Sequence, residues 1–272
     1  MIVIKLLPIR TLEGISSMLP LSAARPRRIA PYRSRRRIRL PPPSKVPYAG
    51  TDMRLLLIRH GQTPGNVLGR LDTARPGPGL TDLGLRQAAA IPDALRSDPI
   101  DAIFVSTLLR THLTAHPLAA DRGLELQVAS GLHEIEAGSL EGLRDRASVR
   151  TYLETAVAWG SGDLDKRMPG AHDGHDFFRR FDTDIARAAA GSEVAAVFSH
   201  GAAIRVWTAA RAQNVPATFA GENELDNTGV VELTGSPEEG WTLLSWAGLP
   251  VGGMALADLS AADPLGEPLS EA

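Results

Sequence analysis

Short apolar runs alternate along this chain with longer segments in which apolar residues recur at helical spacing. Three runs, MRLLLIRH at 53–60, AIFVS at 102–106 and VAAVFSHG at 194–201, predict strands buried on both faces. A weaker run at 124–130 and a pair near the end, GVVELTG and WTLLSWAG, predict three more strands. Helices are predicted between these runs, over about 80–97, 108–123, 145–159, 174–190 and 202–213.

This order of elements favours a sheet covered by helices on both faces, because strands that alternate with helices form parallel or mixed sheets. We therefore expect an α/β fold, a three-layer α/β/α sandwich with a mostly parallel central sheet. Ligands bind beyond the carboxyl ends of the strands in such sheets, so polar residues at those ends are the first candidates for function.

The helix predicted over 80–97 has local signals for its start, for a bend and for its exposed side. Thr81 can cap its first turn, and Pro92 is expected at a bend within it. Gln87 is expected to point into solvent, because its side chain is polar and the apolar residues of the segment recur at other positions.

Composition is that of a globular protein: 43% of the 272 residues are hydrophobic and 22% are charged. The absence of cysteine excludes disulfides, thiolate catalysis and cysteine-based zinc sites. No stretch approaches the roughly 18 apolar residues of a membrane span. We expect a cytoplasmic protein with no membrane partner, either a monomer or a homodimer.

The net charge of −2 conceals two differently charged parts. Residues 1–52 hold 11 basic and two acidic residues, which leaves 18 basic and 29 acidic residues in the remainder. Arginine and proline are combined over 24–45, and we expect disorder there. The segment could bind nucleic acid, act in targeting, or be an inert extension before a natural start at Met53. We favour the last interpretation, and the acidic remainder argues against a nucleic-acid partner.

Three regions are therefore expected along the chain. Residues 1–52 form a basic extension, 53–253 a folded domain, and 254–272 a mobile acidic tail that contains proline.

Histidine followed by glycine ends two of the predicted strands, as His60–Gly61 and His200–Gly201. Arg59 precedes the first pair, and Arg110 lies in the first turn of the helix after the strand at 102–106. Two arginines, two histidines and a helix N-terminus at one sheet edge suit a phosphoryl dianion, since guanidinium groups bind its oxygens in a bidentate manner. One imidazole can attack phosphorus while the other groups stabilise negative charge, and such a site needs no metal.

The segment RHGQTPGN at 59–66 resembles the RHG[EQ]TxxN signature of the histidine phosphatase superfamily, whose fold is phosphoglycerate mutase-like. Four further motifs of that family follow in order, although Thr107 stands where proline is commoner. They are LTDLGLRQA at 80–88, STLLRTHLTA at 106–115, LHEIEAGSLEG at 132–142 and FSHGAAIR at 198–205.

The resemblance implies a role for each matching residue. His60 is implied to be the nucleophile that becomes phosphohistidine, and Glu134 the proton donor. Spacing does not choose among the three glutamates of HEIEAGSLEG; the motif selects Glu134, with Glu136 expected in solvent and Glu141 in a structural role. The other implied catalytic or phosphate-binding residues are Arg59, Thr63, Asn66, Arg110, His200 and Gly201.

The implied activity is that of a metal-independent phosphomonoesterase without a cofactor, acting on a small phosphorylated metabolite through phosphohistidine. A phosphoglycerate mutase is one alternative, but the LNERHYG motif of those enzymes is absent, since this chain has LHEIEAG. A catalytically weak phosphate-binding regulatory protein is the other alternative, and the complete set of candidate residues argues against it.

One region departs from the family pattern. Many relatives carry Gly-Gly-Glu-Ser where this chain has PGAHDGHDFF, so that His172 replaces the glutamate and Asp173 the serine. Asp173 can still cap the following helix. A metal site built from His172, Asp173, His175 and Asp176 is disfavoured, because ligands so close in sequence rarely converge. Residues 70–79 and 160–175 are expected to form the rim of the substrate pocket.

Overall fold

The computed structural model describes residues 38–39 and 53–269, and one mixed sheet runs through these ranges. Its strands are β1 (Ile38–Arg39), β2 (Met53–Arg59), β3 (Ala102–Val105), β4 (Leu126–Val128), β5 (Val194–Ser199), β6 (Val230–Ser236) and β7 (Gly240–Trp246). In space they lie in the order β1-β7-β6-β2-β5-β3-β4.

Helices connect most of these strands and cover both faces of the sheet. They are α1 (Pro64–Leu68), α2 (Asp82–Ala89), α3 (Ile91–Ala94), α4 (Leu109–Arg122), α5 (Arg146–Gly160), α6 (Gly174–Gly191), α7 (Gly201–Arg211) and α8 (Phe219–Glu222). Short 3₁₀ helices lie at Ser130–Leu132, Gly138–Leu140 and Gly253–Leu256. None of the helices in the described ranges is both long and apolar enough to span a bilayer.

The predicted α/β sandwich is confirmed, but its parallel character belongs to one half of the sheet. Strands β2, β5, β3 and β4 pair in parallel, whereas β6, β7 and β1 extend the sheet from β2 by antiparallel pairing. The antiparallel pairing of β6 with β7 follows from their short connection, since a tight hairpin can join only antiparallel strands.

Side chains of β2 alternate between two hydrophobic cores, as the pleat of a strand requires. Leu55 and Leu57 belong to a core shared with α5, α6, α7 and α8, whereas Leu56 and Ile58 belong to a core shared with α3 and α4. All four side chains are at most 2% exposed. The sheet is therefore the middle of three layers, and β2 is buried on both faces as expected.

The helix predicted over 80–97 is divided into α2 and α3, with Pro92 in the first turn of α3. Thr81 caps α2 through a hydrogen bond from the amide of Gly84, as expected. The prediction for Gln87 is wrong. Its side chain is 2% exposed, accepts a hydrogen bond from the amide of Gln62 and donates one to the carbonyl of Leu256.

The two end regions also differ from expectation. Within the stretch 24–45, for which we expected disorder, Ile38–Arg39 forms a strand paired with β7, and the rest lies outside the described residues. Residues 254–269, expected to belong to a mobile tail, pack against the carboxyl edge of the sheet. Leu265 in this segment is 2% exposed, so it contributes to the core.

Candidate active site

The candidate residues meet at the carboxyl edge of the parallel half of the sheet. Arg59 is the last residue of β2 and is followed by His60, while His200 follows β5 and stands directly before α7. Arg110 lies in the first turn of α4, directly after β3. Because β2, β5 and β3 are adjacent and parallel, their ends bring these side chains together, as the sequence predicted.

His60 has the tautomer that a nucleophile requires. Its Nδ1 lies 2.8 Å from the carbonyl oxygen of Gly61, and a carbonyl can only accept, so Nδ1 carries the proton and Nε2 keeps its lone pair. Burial, and then the charges of Arg110 and Arg59, lower the pKa of His60 well below its usual value. The ring is therefore neutral at physiological pH.

Arg110 and His200 are directly bonded. The Nε of Arg110 donates to Nδ1 of His200 over 3.3 Å, and its Nη2 donates to the carbonyl of Asp72 over 3.0 Å. Since Nδ1 of His200 accepts, its Nε2 carries the proton and donates to the Ser106 hydroxyl at 2.8 Å. Burial, followed by the charge of Arg110, lowers the pKa of His200 well below its usual value.

Arg59 is fully buried and held at its outer end. Its Nη1 donates to the carbonyl of Leu225, and both Nη atoms contact the carboxylate of Asp263. Burial lowers the pKa of Arg59, but the charge and hydrogen bond of Asp263, helped by Glu134, reverse that effect and leave the pKa raised. The guanidinium remains a permanent cation inside the protein.

Unpartnered polar atoms mark where an anion can bind. Within the part of the chain that the structure describes, five buried side-chain polar atoms lack a hydrogen-bond partner, and three of them are Arg59 Nε, His60 Nε2 and Arg110 Nη1. Buried polar groups normally have partners, so a cluster of exceptions at one edge needs an explanation. Two cationic donors beside one imidazole lone pair provide the groups that bind and attack a phosphoryl group.

Glu134 lies beneath this cluster at the N-terminus of α7. Its carboxyl oxygens accept hydrogen bonds from the amides of Ala202, Ala203 and Ile135 at 2.8–3.2 Å. Burial raises the pKa of Glu134 above its usual value, although these bonds and the charge of Arg110 oppose the shift. A carboxyl group with a raised pKa is suited to donate a proton.

Thr63 and Asn66 are buried near Arg59, and their side chains form hydrogen bonds with each other. They form a capping box on α1, in which the Thr63 hydroxyl caps the helix and the Asn66 side chain accepts from the Thr63 amide. The side-chain Nδ2 of Asn66 donates a hydrogen bond to Oδ1 of Asp263. Gly201 allows a close approach, since a Cβ there would lie 2.9 Å from Arg59 Nε.

A cavity of about 220 Å³ is lined by His133 and Ile135, the sequence neighbours of Glu134. Both regions expected at the pocket rim contribute to it, through Arg75 and His172. The remaining lining residues are Glu136, Trp159, Asp173, Asp176, Phe177, Arg179 and Arg180. The cavity therefore combines an aromatic floor with charged groups of both signs.

The other two glutamates of the donor motif have different surroundings. Glu141 accepts hydrogen bonds from the amides of Thr73 and Ala74, which is the structural role expected of it. Glu136 is not simply solvated, because its carboxylate contacts Arg75, His133 and His172 at the cavity.

The four residues considered for a metal site, His172, Asp173, His175 and Asp176, do not converge on one point. His172 pairs with Asp176, His175 pairs with Asp165, and Asp173 caps α6. In the described ranges, no group of three or more histidine, aspartate or glutamate side chains is arranged to hold a metal ion.

The structure adds Ser106, Asn227 and Asp263 to the residues predicted for the site. Asn227 donates to the carbonyl of His60 and to Asn66, and Ser106 accepts from His200. Ser106 begins a recognised motif, so its position was a signal. Asn227 and Asp263 lie in irregular segments without a local pattern, and only the folded structure places them at the site.

Comparison with known proteins gives the site a context. Residues 55–248 match the model of the histidine phosphatase superfamily (branch 1). An alignment of 224 positions with a PE-PGRS family protein of Mycobacterium tuberculosis has 40% identity and covers 76% of this chain but only 38% of that protein.

Relatives named as enzymes include both phosphatases and a mutase. The adenosylcobalamin/α-ribazole phosphatase of Salmonella typhimurium is 32% identical over 52% of this chain and 69% of its own length. A 2,3-bisphosphoglycerate-dependent phosphoglycerate mutase of Methylocella silvestris is 31% identical over 62% of this chain and 86% of its own length. Among solved structures, a mycobacterial glucosyl-3-phosphoglycerate phosphatase superposes with a TM-score of 0.60 at 26% identity, covering 72% of this chain and 99% of that one.

Proposed function

This chain belongs to the histidine phosphatase superfamily, and on that premise we propose that it is a metal-independent phosphomonoesterase that acts through phosphohistidine at His60. One observation carries the proposal. The lone pair of His60 Nε2 is buried and unpartnered in a cluster with two free guanidinium donors, Arg59 Nε and Arg110 Nη1. A neutral imidazole so placed can attack phosphorus while the arginines hold its oxygens.

The first step transfers the phosphoryl group to the enzyme. The His60 Nε2 lone pair forms a bond to phosphorus as the bond from phosphorus to the ester oxygen breaks. Glu134 gives its proton to the departing oxygen, which leaves as an alcohol. Arg59 and Arg110 stabilise the charge on the non-bridging oxygens during the transfer.

The second step returns the enzyme to its starting state. The Glu134 carboxylate takes a proton from water, whose oxygen bonds to phosphorus while the bond from phosphorus to Nε2 breaks. Inorganic phosphate leaves, and Glu134 is again a carboxylic acid. One residue thus acts as acid and then as base, which a raised pKa permits.

Charge balance in the cavity beside Glu134 supports a phosphatase over a mutase. A mutase must bind a second phosphorylated group, which requires cationic groups beyond those that hold the first. Here Arg75 pairs with Glu136, Arg179 pairs with Asp176, and Arg180 donates to the carbonyls of the donor motif. The cavity instead suits the uncharged part of a small metabolite, placed over Trp159 and Phe177.

Hydrolysis of p-nitrophenyl phosphate by purified protein in EDTA tests the proposal. We expect turnover without metal, and acid-labile labelling of the protein with ³²P from a labelled phosphomonoester. His60→Ala should abolish both, whereas the exposed His116→Ala on α4 should leave them unchanged. Retained turnover in His60→Ala, or phosphate binding by wild-type protein without turnover, contradicts the proposed catalysis.

Mutase activity has its own measurement. Conversion of 3-phosphoglycerate to 2-phosphoglycerate with a bisphosphate primer should be slow relative to phosphate release. Faster isomerisation than hydrolysis reverses the assignment.

A further inference from the structure

The segment from Gly253 to Leu269 lies beyond residue 248, where the family match ends, yet it contacts the candidate site at several points. Asp258 accepts a hydrogen bond from the Gln62 side chain, and the Leu265 carbonyl accepts from Arg205. The most direct contact is made by Asp263, whose carboxylate binds Arg59 and Asn66.

Asp263 joins two candidate phosphate-binding residues through one carboxylate. Its Oδ1 accepts from Arg59 Nη2 at 2.8 Å and from Asn66 Nδ2 at 2.9 Å, and its Oδ2 lies 2.6 Å from Arg59 Nη1. This is the two-point geometry in which a carboxylate binds the fork of a guanidinium. Arg59 is fully buried and the Asp263 side chain is 15% exposed, so solvent screens the pair only weakly.

The contact leaves the other edge of the guanidinium free. Because Asp263 and the Leu225 carbonyl occupy the Nη atoms, the Nε–H of Arg59 is the donor that lacks a partner. A guanidinium is planar, so fixing its two Nη atoms also fixes the direction of Nε–H. His60 Nε2 and Arg110 Nη1 are likewise without partners, so the carboxylate does not occupy the donors of the reaction centre.

The backbone around Asp263 holds the carboxylate in place. The amides of Gly266 and Glu267 donate to the Asp263 carbonyl, and the Asp263 amide donates to the Glu267 side chain. Gly266 lies so close to the guanidinium that a Cβ there would stand 2.1 Å from Arg59 Nη1. The turn over 263–267 is therefore packed directly on Arg59.

We propose that Asp263 is a positioning residue that orients Arg59 and Asn66 toward the phosphoryl group, so that the site is incomplete without the segment over 253–269. This inference rests on the proposed function for the identity of the bound group. It assigns to this segment a part in phosphate binding and not only in packing.

Three substitutions and one control test the inference in the full-length chain. Asp263→Ala removes the carboxylate, Asp263→Asn keeps one acceptor without the charge, and Asp263→Glu keeps the fork on a longer side chain. Glu238→Gln is the control, because it removes the same charge from an exposed position in the turn between β6 and β7, outside this segment.

We expect kcat/KM for p-nitrophenyl phosphate to fall by about 10- to 100-fold in Asp263→Ala, because small misplacement of a binding group has effects of that size. The loss should be smaller in Asp263→Asn and smallest in Asp263→Glu. The dissociation constant for inorganic phosphate, measured by calorimetry, should rise most in Asp263→Ala, less in Asp263→Asn and least in Asp263→Glu. Glu238→Gln should stay within about twofold of wild type in both measurements, well below an effect of that size.

Several results overturn the inference. Higher activity or tighter phosphate binding in Asp263→Ala means that the carboxylate competes with substrate. An equal loss in Glu238→Gln means that the lost charge acts regardless of its position. A lower melting temperature with unchanged phosphate affinity in all three Asp263 variants means that the segment only packs. The phosphate measurement needs no turnover, so it tests Asp263 even if wild-type protein proves inactive and the proposed function fails.

Discussion

The imidazole rings of His60 and His200 lie 5.2 Å apart, centre to centre, with a tilt of 57° between their planes. Both rings are buried, and burial first, then nearby arginine charge, lowers the pKa of each. Two neutral rings can lie this close, whereas two charged rings would repel. The pair thus keeps one lone pair available on His60 while His200 stays bonded to Arg110.

His200→Ala should slow formation of the phosphoenzyme by about 10²-fold, the size of effect that misplacement of a binding group has. The reason is the lost support for Arg110, whose Nε donates to this ring. Rapid-quench measurement of ³²P incorporation checks this. Ser106→Ala removes only the acceptor of the His200 proton and should have a smaller effect. Equal rates in His200→Ala and wild type contradict the assignment.

Glu134→Gln should affect substrates according to their leaving groups. An alkyl phosphate such as glycerol 2-phosphate releases a basic alkoxide and needs a proton, so its kcat/KM, which reports the transfer to His60, should fall by about 10²- to 10⁴-fold. p-Nitrophenyl phosphate releases a stabilised phenolate and should lose about tenfold less. Glu125→Gln, at an exposed position, is the control. Equal losses on both substrates would falsify the role of Glu134 as proton donor.

The pH dependence of kcat/KM should reflect the titration of Glu134. Burial raises the pKa of Glu134, and the acid form is the active one, so activity should fall as pH rises through that pKa. His60 must be neutral, and its lowered pKa keeps it so down to acidic pH. We therefore expect kcat/KM to be highest at pH values below the pKa of Glu134. The decline on the alkaline side should disappear in Glu134→Gln.

Acid should destabilise the fold through His133. Burial, and then the charge of Arg180, lowers its pKa to about 4, against the attraction of Glu136. A histidine with a lowered pKa favours folding above its unfolded pKa of roughly 6.5, and that contribution is lost as pH falls towards 4. The slope from this one residue reaches about 1.4 kcal/mol per pH unit.

Urea unfolding at pH 7, 6 and 5 measures that slope. His133→Asn should lose less free energy of unfolding between pH 7 and pH 5 than wild type. His116→Asn, exposed on α4, should match wild type. His60 and His200 act in the same direction, so some slope should remain in His133→Asn. An unchanged slope in that variant disproves the assignment to His133.

The cavity beside Glu134 should determine which alcohol is released. Glu136 is held there by Arg75 and His133, and its carboxylate faces the cavity. In Glu136→Gln we expect kcat/KM to change by about tenfold for phosphomonoesters that bond to this group. The ranking of a panel of esters should therefore change. Inhibition by inorganic phosphate should not change. A uniform loss over all esters places the effect in the phosphate site instead.

The reactive centre could be predicted because its chemistry lies at the ends of apolar runs. His60, Arg110 and His200 each follow a strand that the hydrophobic pattern identifies, and parallel strands bring such ends together. The pattern places Gln87 in solvent because a sequence pattern predicts exposure only from the polarity of a side chain. In the structure it satisfies the Gln62 amide and the Leu256 carbonyl, which sequence periodicity does not describe.

The contribution of the C-terminal segment could not be predicted for a different reason. Asp263 is separated from Arg59 by 204 positions, and its acidic, proline-containing surroundings resemble those of mobile tails. Only a long-range contact gives this carboxylate a function, and long-range contacts have no local signature. The antiparallel half of the sheet was recognised as a strand pair, but its place beside β2 depends on pairing across the whole domain.

The bond between Arg59 and Asp263 also sets an order in time. A ribosome releases β2 early, but the guanidinium at its end acquires its carboxylate only after residue 263 has left the exit tunnel. β2 likewise waits for β5 and β6, its two neighbours in the sheet. A nascent chain that stops after β7 thus carries every residue of the catalytic motifs, but its Arg59 still lacks the carboxylate that binds both Nη atoms.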